Sequence, residues 1–302
     1  MFNVTESLKA KKRKKIILDT DTFNEIDDQF ALSLALLSPE EIELLAVTAA
    51  PFNNDKSDYN FGKGMERSYE EIGRVMNFVC ESHPGVKPVP YYRGSTTQMP
   101  DENTPVMSEA VEVIHKIAME QGTPEDRVYV VAIGAITNVA SALVAYPEIA
   151  DRIAVVWLGS HARWFGGPEF NLFGDRIACN AMYASKAPVL TVPCMGVASE
   201  LITTLPELEY HLKGKSPLGD YLCKIVAACE PGNHPKSWSR VIWDISAVCA
   251  VIDPECYRSI ELDRPRVEEN WSYNYGYYEG KHEHIETLNR DRIFSLLFSR
   301  LL

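Results

Sequence analysis

The chain has 302 residues, of which 46% are hydrophobic and 24% charged, so its composition is that of an ordinary globular protein and excludes disordered, collagen-like and small disulfide-rich classes. Asp and Glu number 42 against 30 Lys and Arg, which gives a formal net charge of −12. This charge argues against a nucleic-acid partner, because binding to phosphates requires a basic face.

Hydrophobic periodicity predicts strands that alternate with helices along the chain. The predicted strands are 15–18, 44–49, 128–133, 153–158 and 189–192, and the predicted helices are 27–37, 66–80, 108–120, 137–146 and 243–252. This alternation predicts an α/β fold with a mostly parallel central sheet and helices on both faces. No linker rich in Pro, Gly or Ser divides the chain, so residues 1–302 are interpreted as a single domain.

The cysteines and the N-terminal segment indicate the compartment. Seven cysteines are scattered without CxxC spacing, which is typical of reduced thiols in a cytoplasmic protein. No apolar core precedes the basic run 9–15, so we expect no secretory signal and expect this run to be a solvated lead-in to the first strand. The uncharged stretch 128–147 contains Gly134 and Asn138 and is interpreted as strand, turn and helix, so we expect no membrane span.

Five carboxylates follow the first predicted strand within ten residues: Asp19, Asp21, Glu25, Asp27 and Asp28. Like charges crowded at a strand end repel one another, and a bound cation relieves the repulsion. Carboxylate oxygens are hard ligands that suit Ca²⁺ or Mg²⁺. Alternatively, Asp27 and Asp28 cap a helix, whose N-terminus favours negative charge, and Glu25 is solvated surface. Because this alternative explains Asp19 and Asp21 poorly, the cluster predicts a metal or catalytic site.

Several short motifs follow the acidic cluster. They are Ala46-Val47-Thr48 with Asn53, Val89-Pro90-Tyr91-Tyr92-Arg93-Gly94, Ala132-Ile133-Gly134-Ala135-Ile136-Thr137-Asn138-Val139-Ala140, Glu169-Phe170-Asn171 with Asp175, and Asp244 before Ala247-Val248. Together with Asp19-Thr20-Asp21 and Asp27-Asp28, this series resembles the nucleoside hydrolases, the inosine-uridine-preferring N-ribohydrolase family, over most of the chain. That family opens with a strand followed by Asp-Thr-Asp-Pro-Gly-x-Asp-Asp.

The resemblance implies a Rossmann-like nucleoside hydrolase fold and a calcium-dependent hydrolase that cleaves ribonucleosides to ribose and free base. Such cleavage passes through an oxocarbenium-like sugar, which a carboxylate-rich cradle stabilises. The resemblance further implies a role in purine salvage and assembly as a homodimer or homotetramer. The implied site residues are Asp21, Asp28, the Thr137 backbone carbonyl and Asp244 as Ca²⁺ ligands, Asp21 also as general base, and Asp27, Asn53, Glu169 and Asn171 as sugar contacts.

The loop between Asp21 and Asp27 departs from the family pattern. It holds five residues, 22–26, where the family usually has three that include Pro-Gly. This longer loop resembles a divergent, nucleoside-hydrolase-related branch whose substrates are less certain. Asn24 and Glu25 either enter the site or form a harmless bulge. Two further functions therefore stay open: hydrolysis of another ribosyl or sugar conjugate, and non-catalytic binding of a nucleoside or sugar.

The residue before Asp244 is a second departure. Many family members have His there as the acid for the leaving base, whereas this chain has Trp243. Indole cannot donate a proton at useful pH, but it can stack on a base, which favours a purine-type leaving group. The alternative is that Trp243 is a core residue at a helix start. His161 and His234 are rim candidates for the acid, although an ordinary surface position is the favoured interpretation of each. The closely spaced His282 and His284 are expected to be solvated.

Overall fold

The computed structural model describes residues 2–229 and 238–302, so His234 lies outside the described residues. The strands are β1 Lys14–Thr20, β2 Ile42–Ala49, β3 Tyr91–Tyr92, β4 Val128–Ala132, β5 Ile153–Leu158, β6 Val189–Val192, β7 Ile202–Thr203, β8 Arg240–Val241, β9 Tyr257–Asp263, β10 Pro265–Val267, β11 Tyr273–Tyr275 and β12 Lys281–Leu288. The α-helices are α1 Val4–Ala10, α2 Asp28–Leu36, α3 Phe61–Ser82, α4 Glu109–Gln121, α5 Thr137–Ala145, α6 Phe170–Gly174, α7 Arg176–Ala184, α8 Leu205–Leu212, α9 Pro217–Ala228, α10 Ile245–Ile252 and α11 Arg290–Leu301.

The described strands form one large sheet and two small ones. The large sheet has eight strands in the order β3-β2-β1-β4-β5-β6-β12-β9. Its neighbours pair in parallel except β9, which runs antiparallel to β12 at the edge. The small sheets are the antiparallel pairs β10-β11 and β7-β8. The predicted mostly parallel central sheet is therefore confirmed.

Successive residues of β1 face opposite sides of the sheet, as the two-residue period of a strand requires. Ile16 and Leu18 belong to a core with buried residues of α2, α3, α10 and α11, whereas Ile17 belongs to a second core with α4, α5 and α7. Both faces of the sheet are thus covered by helices, which confirms the α/β prediction. A strand buried on both faces has an almost continuous apolar sequence, which is why β1 was visible in the sequence.

The order of the strands locates the site. The chain builds outward from β1 to β2 and β3 on one side and to β4, β5 and β6 on the other. Ligands in open α/β sheets bind beyond the carboxyl ends of the strands at this reversal of order. The acidic cluster follows β1 and Gly134 follows β4, so both lie at that point.

All ten elements predicted from periodicity are present, with ends that shift by no more than five residues. Elements that were not predicted include α1, α6–α9, β9, β12 and α11. The sequence could have predicted helices α8 and α9, because Thr204 and Ser216 cap them and each helix has Pro in its first turn. Strand β12 could not have been predicted in this way, since its sequence KHEHIETL has no alternation of apolar and polar residues.

One expectation about the histidines is wrong, and one about the basic run needs a single exception. His282 and His284 on β12 are each only 4% exposed rather than solvated, because β6 and β9 flank β12. Burial lowers the pKa of His282 to about 3 and of His284 to about 4, so both rings are neutral. The basic run 9–15 leads into β1 and is exposed or half-buried, as expected, except for Lys14, which is buried and whose Nζ donates to the Ile252 carbonyl at 3.4 Å.

The remaining sequence expectations concern membranes and disulfides. None of the helices in the described ranges is long and apolar enough to cross a membrane. The uncharged stretch 128–147 forms β4, a turn and α5, as predicted. All seven cysteines, each within the described residues, are free thiols.

Candidate active site

Asp19, near the end of β1, lies directly behind the acidic cluster and is fully buried. Its Oδ1 accepts hydrogen bonds from Thr48 Oγ1 at 2.6 Å and from Asn138 Nδ2 at 2.8 Å. These partners belong to β2 and α5, so the carboxylate ties three elements together. Burial raises the pKa of Asp19 to about 6.

Three carboxylates converge in front of β1. Asp27, Asp28 and Asp244 are buried, and each offers one oxygen such that these atoms lie within 4.8 Å of one another. Asp28 opens α2, and its Oδ1 accepts from Thr20 Oγ1 at 2.5 Å. Asp27 Oδ2 accepts from the backbone N–H of Trp243 at 3.0 Å, which positions the start of α10 against that of α2.

The electrostatics of this cluster fit a hard cation. Burial, followed by the negative charges of Glu25 and Asp28, raises the pKa of Asp27 to about 8. Burial also raises the pKa of Asp28 to about 6 and the pKa values of Asp21 and Asp244 well above their ordinary range. A divalent cation would relieve this repulsion, and an all-oxygen donor set suits Ca²⁺ or Mg²⁺.

Asp21 faces the same space from the loop after β1. It is 2% exposed, and its Oδ2 is buried with no hydrogen-bond partner among the described residues. Gly134 leaves room for this side chain, because a Cβ at position 134 would lie 3.0 Å from Asp21 Oδ1 and 2.9 Å from Ala50 Cβ. A buried carboxylate oxygen without a partner is costly unless a ligand or cation satisfies it.

The loop after β5 supplies the opposite wall. Glu169 caps α6, and its carboxylate accepts from the backbone N–H groups of Ser160, Asn171 and Leu172 at 2.9–3.0 Å. Asn171 Nδ2 donates to the carbonyls of Ile133 and Leu158, so its orientation is fixed. Ser160 is buried in the left-handed backbone region at φ 64°, a strained conformation that clusters at functional sites.

These residues enclose a cavity of about 250 Å³. Seven of the nine residues predicted for the site line it, namely Asp21, Asp27, Asp28, Glu169, Asn171, Trp243 and Asp244. The other two lie outside its described wall. Asn53 lines a small adjoining cavity that it shares with Asp21 and Asn171, and its Oδ1 has no partner among the described residues. Thr137 is buried at the start of α5, where its Oγ1 donates to Asp175 Oδ2 at 2.8 Å.

The longer acidic loop enters the site. Asn24 and Glu25 both line the cavity. Asn24 accepts from Asn54 Nδ2 at 2.7 Å through its side chain and from Lys56 Nζ at 2.8 Å through its carbonyl. Glu25 forms an ion pair with Arg240. The loop is therefore anchored at both residues. The sequence had left open whether Asn24 and Glu25 enter the site or form a harmless bulge, and the structure places both in the lining of the cavity.

The rest of the wall comes mainly from the loops after β5 and β6, where the sequence had named only His161 as a rim candidate. His161 lines the cavity, and its Nδ1 accepts from the backbone N–H of Met195 at 3.3 Å. Burial lowers the pKa of His161. Phe170 and Cys194 lie nearby on the same wall. Phe170 stood inside the Glu169-Phe170-Asn171 motif without an assigned role, and the only signal for Cys194 was its position just beyond a strand end, where residues border the ligand cleft.

Similarity to known proteins agrees with this geometry. A probable uridine nucleosidase 2 from Arabidopsis thaliana is 26% identical over 238 residues, which span 71% of this chain and 69% of that protein. The pyrimidine-specific ribonucleoside hydrolase RihA from Salmonella choleraesuis (strain SC-B67) is 24% identical over 82% of each chain. A plant nucleoside hydrolase, PpNRh1, has the same fold, with a TM-score of 0.75 and 20% identity over 95% of this chain and 98% of that one.

The sequence also matches a whole family rather than single relatives. Residues 16–292 match the family described as inosine-uridine preferring nucleoside hydrolase. The match includes every residue assigned to the site. This chain therefore belongs to the inosine-uridine preferring nucleoside hydrolase family and is an enzyme of the N-ribohydrolase class.

Proposed function

We propose that this enzyme is a calcium-dependent hydrolase of the ribonucleoside N-glycosidic bond and that it favours purine-type leaving groups. The observation that carries the proposal is the convergence of Asp27, Asp28 and Asp244 within 4.8 Å beside the unpartnered, buried Asp21 Oδ2. Carboxylates so placed need a cation, and the cavity beside them is large enough for a sugar. When bound, Ca²⁺ would hold sugar hydroxyls and make water more acidic.

The residues that would hold Ca²⁺ are Asp21, Asp28, the Thr137 carbonyl and Asp244. Asp28 and Asp244 also belong to the converging carboxylates, which supports their assignment. Asp27 has one oxygen occupied by the Trp243 N–H, so we assign its free oxygen to a sugar hydroxyl. Asn53, Glu169 and Asn171 would complete the grip on the sugar.

In the reaction, the C1′–N bond breaks and positive charge develops on the sugar. Asp21 accepts the proton of the attacking water, for which its buried and unpartnered Oδ2 is available. The surrounding carboxylates stabilise the oxocarbenium-like transition state. Trp243 stacks on the departing base, and a flat bicyclic purine gains more from this contact than a pyrimidine does. The two relatives named for uridine and pyrimidine make base preference a direct test.

The decisive experiment measures ribose release from inosine, guanosine and uridine. Activity should disappear after treatment with a chelator and return with CaCl₂. Asp21→Asn should lower kcat by about 10²- to 10⁴-fold, as loss of a general base does, with the thermal unfolding midpoint preserved. Wild-type turnover by Asp21→Asn, or full activity in the chelator, would disprove the mechanism. Faster cleavage of uridine than of inosine would disprove the purine preference.

A further inference from the structure

The longer acidic loop brings Glu25 to the same cavity as Trp243. The Glu25 side chain is 45% exposed and paired with Arg240, so it carries a negative charge. Arg240 does not belong to the lining residues within the described chain. The lining of the cavity therefore includes both an aromatic residue and a carboxylate, the pairing that suits a positively charged flat group.

Charge elsewhere in the cavity acts in the same direction. Six carboxyl-bearing residues line it, and its described lining includes no lysine or arginine. When a divalent cation is bound, the assigned ligands Asp21, Asp28 and Asp244 together with Glu25 carry four negative charges, against two on the cation and one on Arg240. A cavity with an excess of one sign of charge concentrates ligands of the opposite sign.

No group on the described wall is arranged to protonate a leaving base. The Nδ1 of His161 accepts the Met195 N–H, so the neutral ring carries its proton on Nε2, and a neutral imidazole is only a weak acid. The indole N–H of Trp243 can donate a hydrogen bond, but it does not give up its proton at useful pH. The Glu169 oxygens accept three backbone N–H groups, and the proposed function commits the aspartates to the cation, the water and the sugar.

We infer that the preferred substrates are nucleosides whose base already carries a positive charge, such as an N7-alkylated purine. This inference rests on the proposed hydrolysis. The C1′–N9 bond breaks, its electron pair enters the cationic ring, and the base leaves as a neutral molecule. The water oxygen bonds to C1′ and its proton goes to Asp21, so no acid is needed. Trp243 stacks on the cationic ring, and the Glu25 carboxylate faces its charge.

The experiment compares kcat/KM for 7-methylguanosine and guanosine in the wild type and three variants. The quantity compared is the ratio of kcat/KM for 7-methylguanosine to kcat/KM for guanosine. The two nucleosides differ in intrinsic lability, but this difference is the same for every variant and so drops out of the comparison. Glu25→Gln should lower the ratio about tenfold, since it removes a charge-assisted contact. Arg240→Gln should raise the ratio, because it removes the positive charge that is paired with the Glu25 carboxylate. Glu286→Gln, at an ion pair with Arg163 outside the described cavity wall, should leave it unchanged.

A second measurement addresses binding without turnover. Calorimetry with Asp21→Asn should show tighter binding of 7-methylguanosine than of guanosine. Equal binding, or a ratio of rates that Glu25→Gln leaves unchanged, overturns the inference. If inosine still releases ribose in that case, the proposed hydrolysis survives. If none of the nucleosides releases ribose, both proposals fail.

Discussion

The backbone N–H of Trp243 donates to the Asp27 carboxylate across 3.0 Å, although the two residues are 216 positions apart in the chain. This bond joins the start of α2 to the start of α10. It also holds Trp243 beside the carboxylates that line the cavity. The contact thus helps to fix the starts of α2 and α10 relative to each other at the cavity.

The same contact separates the roles of Asp27 and Asp28. Asp28→Asn should weaken Ca²⁺ binding by more than about tenfold, because it removes a charged ligand. Asp27→Asn should leave Ca²⁺ affinity within about threefold and raise KM for the nucleoside, since its free oxygen faces the sugar in our assignment. Calorimetric titration with Ca²⁺ and steady-state kinetics measure the two effects. Equal losses of Ca²⁺ affinity would place Asp27 in the metal shell.

A substitution at Gly134 tests whether the position of the Asp21 carboxylate determines the rate of the reaction. Gly134→Ala would place a methyl group 3.0 Å from Asp21 Oδ1 and 2.9 Å from Ala50 Cβ, so the carboxylate must move. A shift of this carboxylate by a few tenths of an ångström should lower kcat by about tenfold, less than the loss of about 10²-fold that accompanies a misplacement of about 1 Å. Ribose release measures the loss. Gly85→Ala is the matched control, because its Cβ would meet nothing within 4 Å, and it should keep full activity. An active Gly134→Ala enzyme would show that Asp21 is not held there.

Calcium should stabilise the protein more at high pH than at low pH. Asp27 and Asp28 have folded-state pKa values of about 8 and about 6, above the ordinary 3.8. Without a cation, the folded chain holds protons that the unfolded chain has lost, so its stability falls as pH rises from about 4 to about 8. Thermal unfolding with chelator or CaCl₂ measures the effect. A calcium-induced shift that is larger at about pH 5 than at about pH 8 would contradict the assignment.

His282 should make the fold sensitive to acid in the opposite direction. Its folded-state pKa of about 3 lies below the ordinary 6.5, so the unfolded chain takes up a proton first. Its contribution to stability is complete above about pH 6.5 and is lost as pH falls towards 3, at up to about 1.4 kcal/mol per pH unit. Urea unfolding of His282→Gln should therefore show a smaller loss between about pH 7.5 and about pH 5.5. An unchanged loss would mean that another group senses the acid.

The sequence predicted the elements that are buried on both faces or strongly amphipathic. Strand β1 and helix α3 are examples, because one apolar run or one apolar stripe decides each. Strand β12 was invisible, since His282 and His284 are buried only through neighbouring strands. A polar residue in a strand has no local signal of burial, because its surroundings come from distant segments.

The chain order of the carboxylates and motifs determined the family and the acidic character of the site before any coordinates. Tertiary structure decided how those carboxylates meet: Asp27, Asp28 and Asp244 converge within 4.8 Å, while Thr137 lies behind the described wall. It also brought Glu25 and Asn24 into the cavity through Arg240 and Asn54. The physical reason is that chemistry type follows from residue identity, whereas distance and desolvation follow from the packing of elements far apart in the chain.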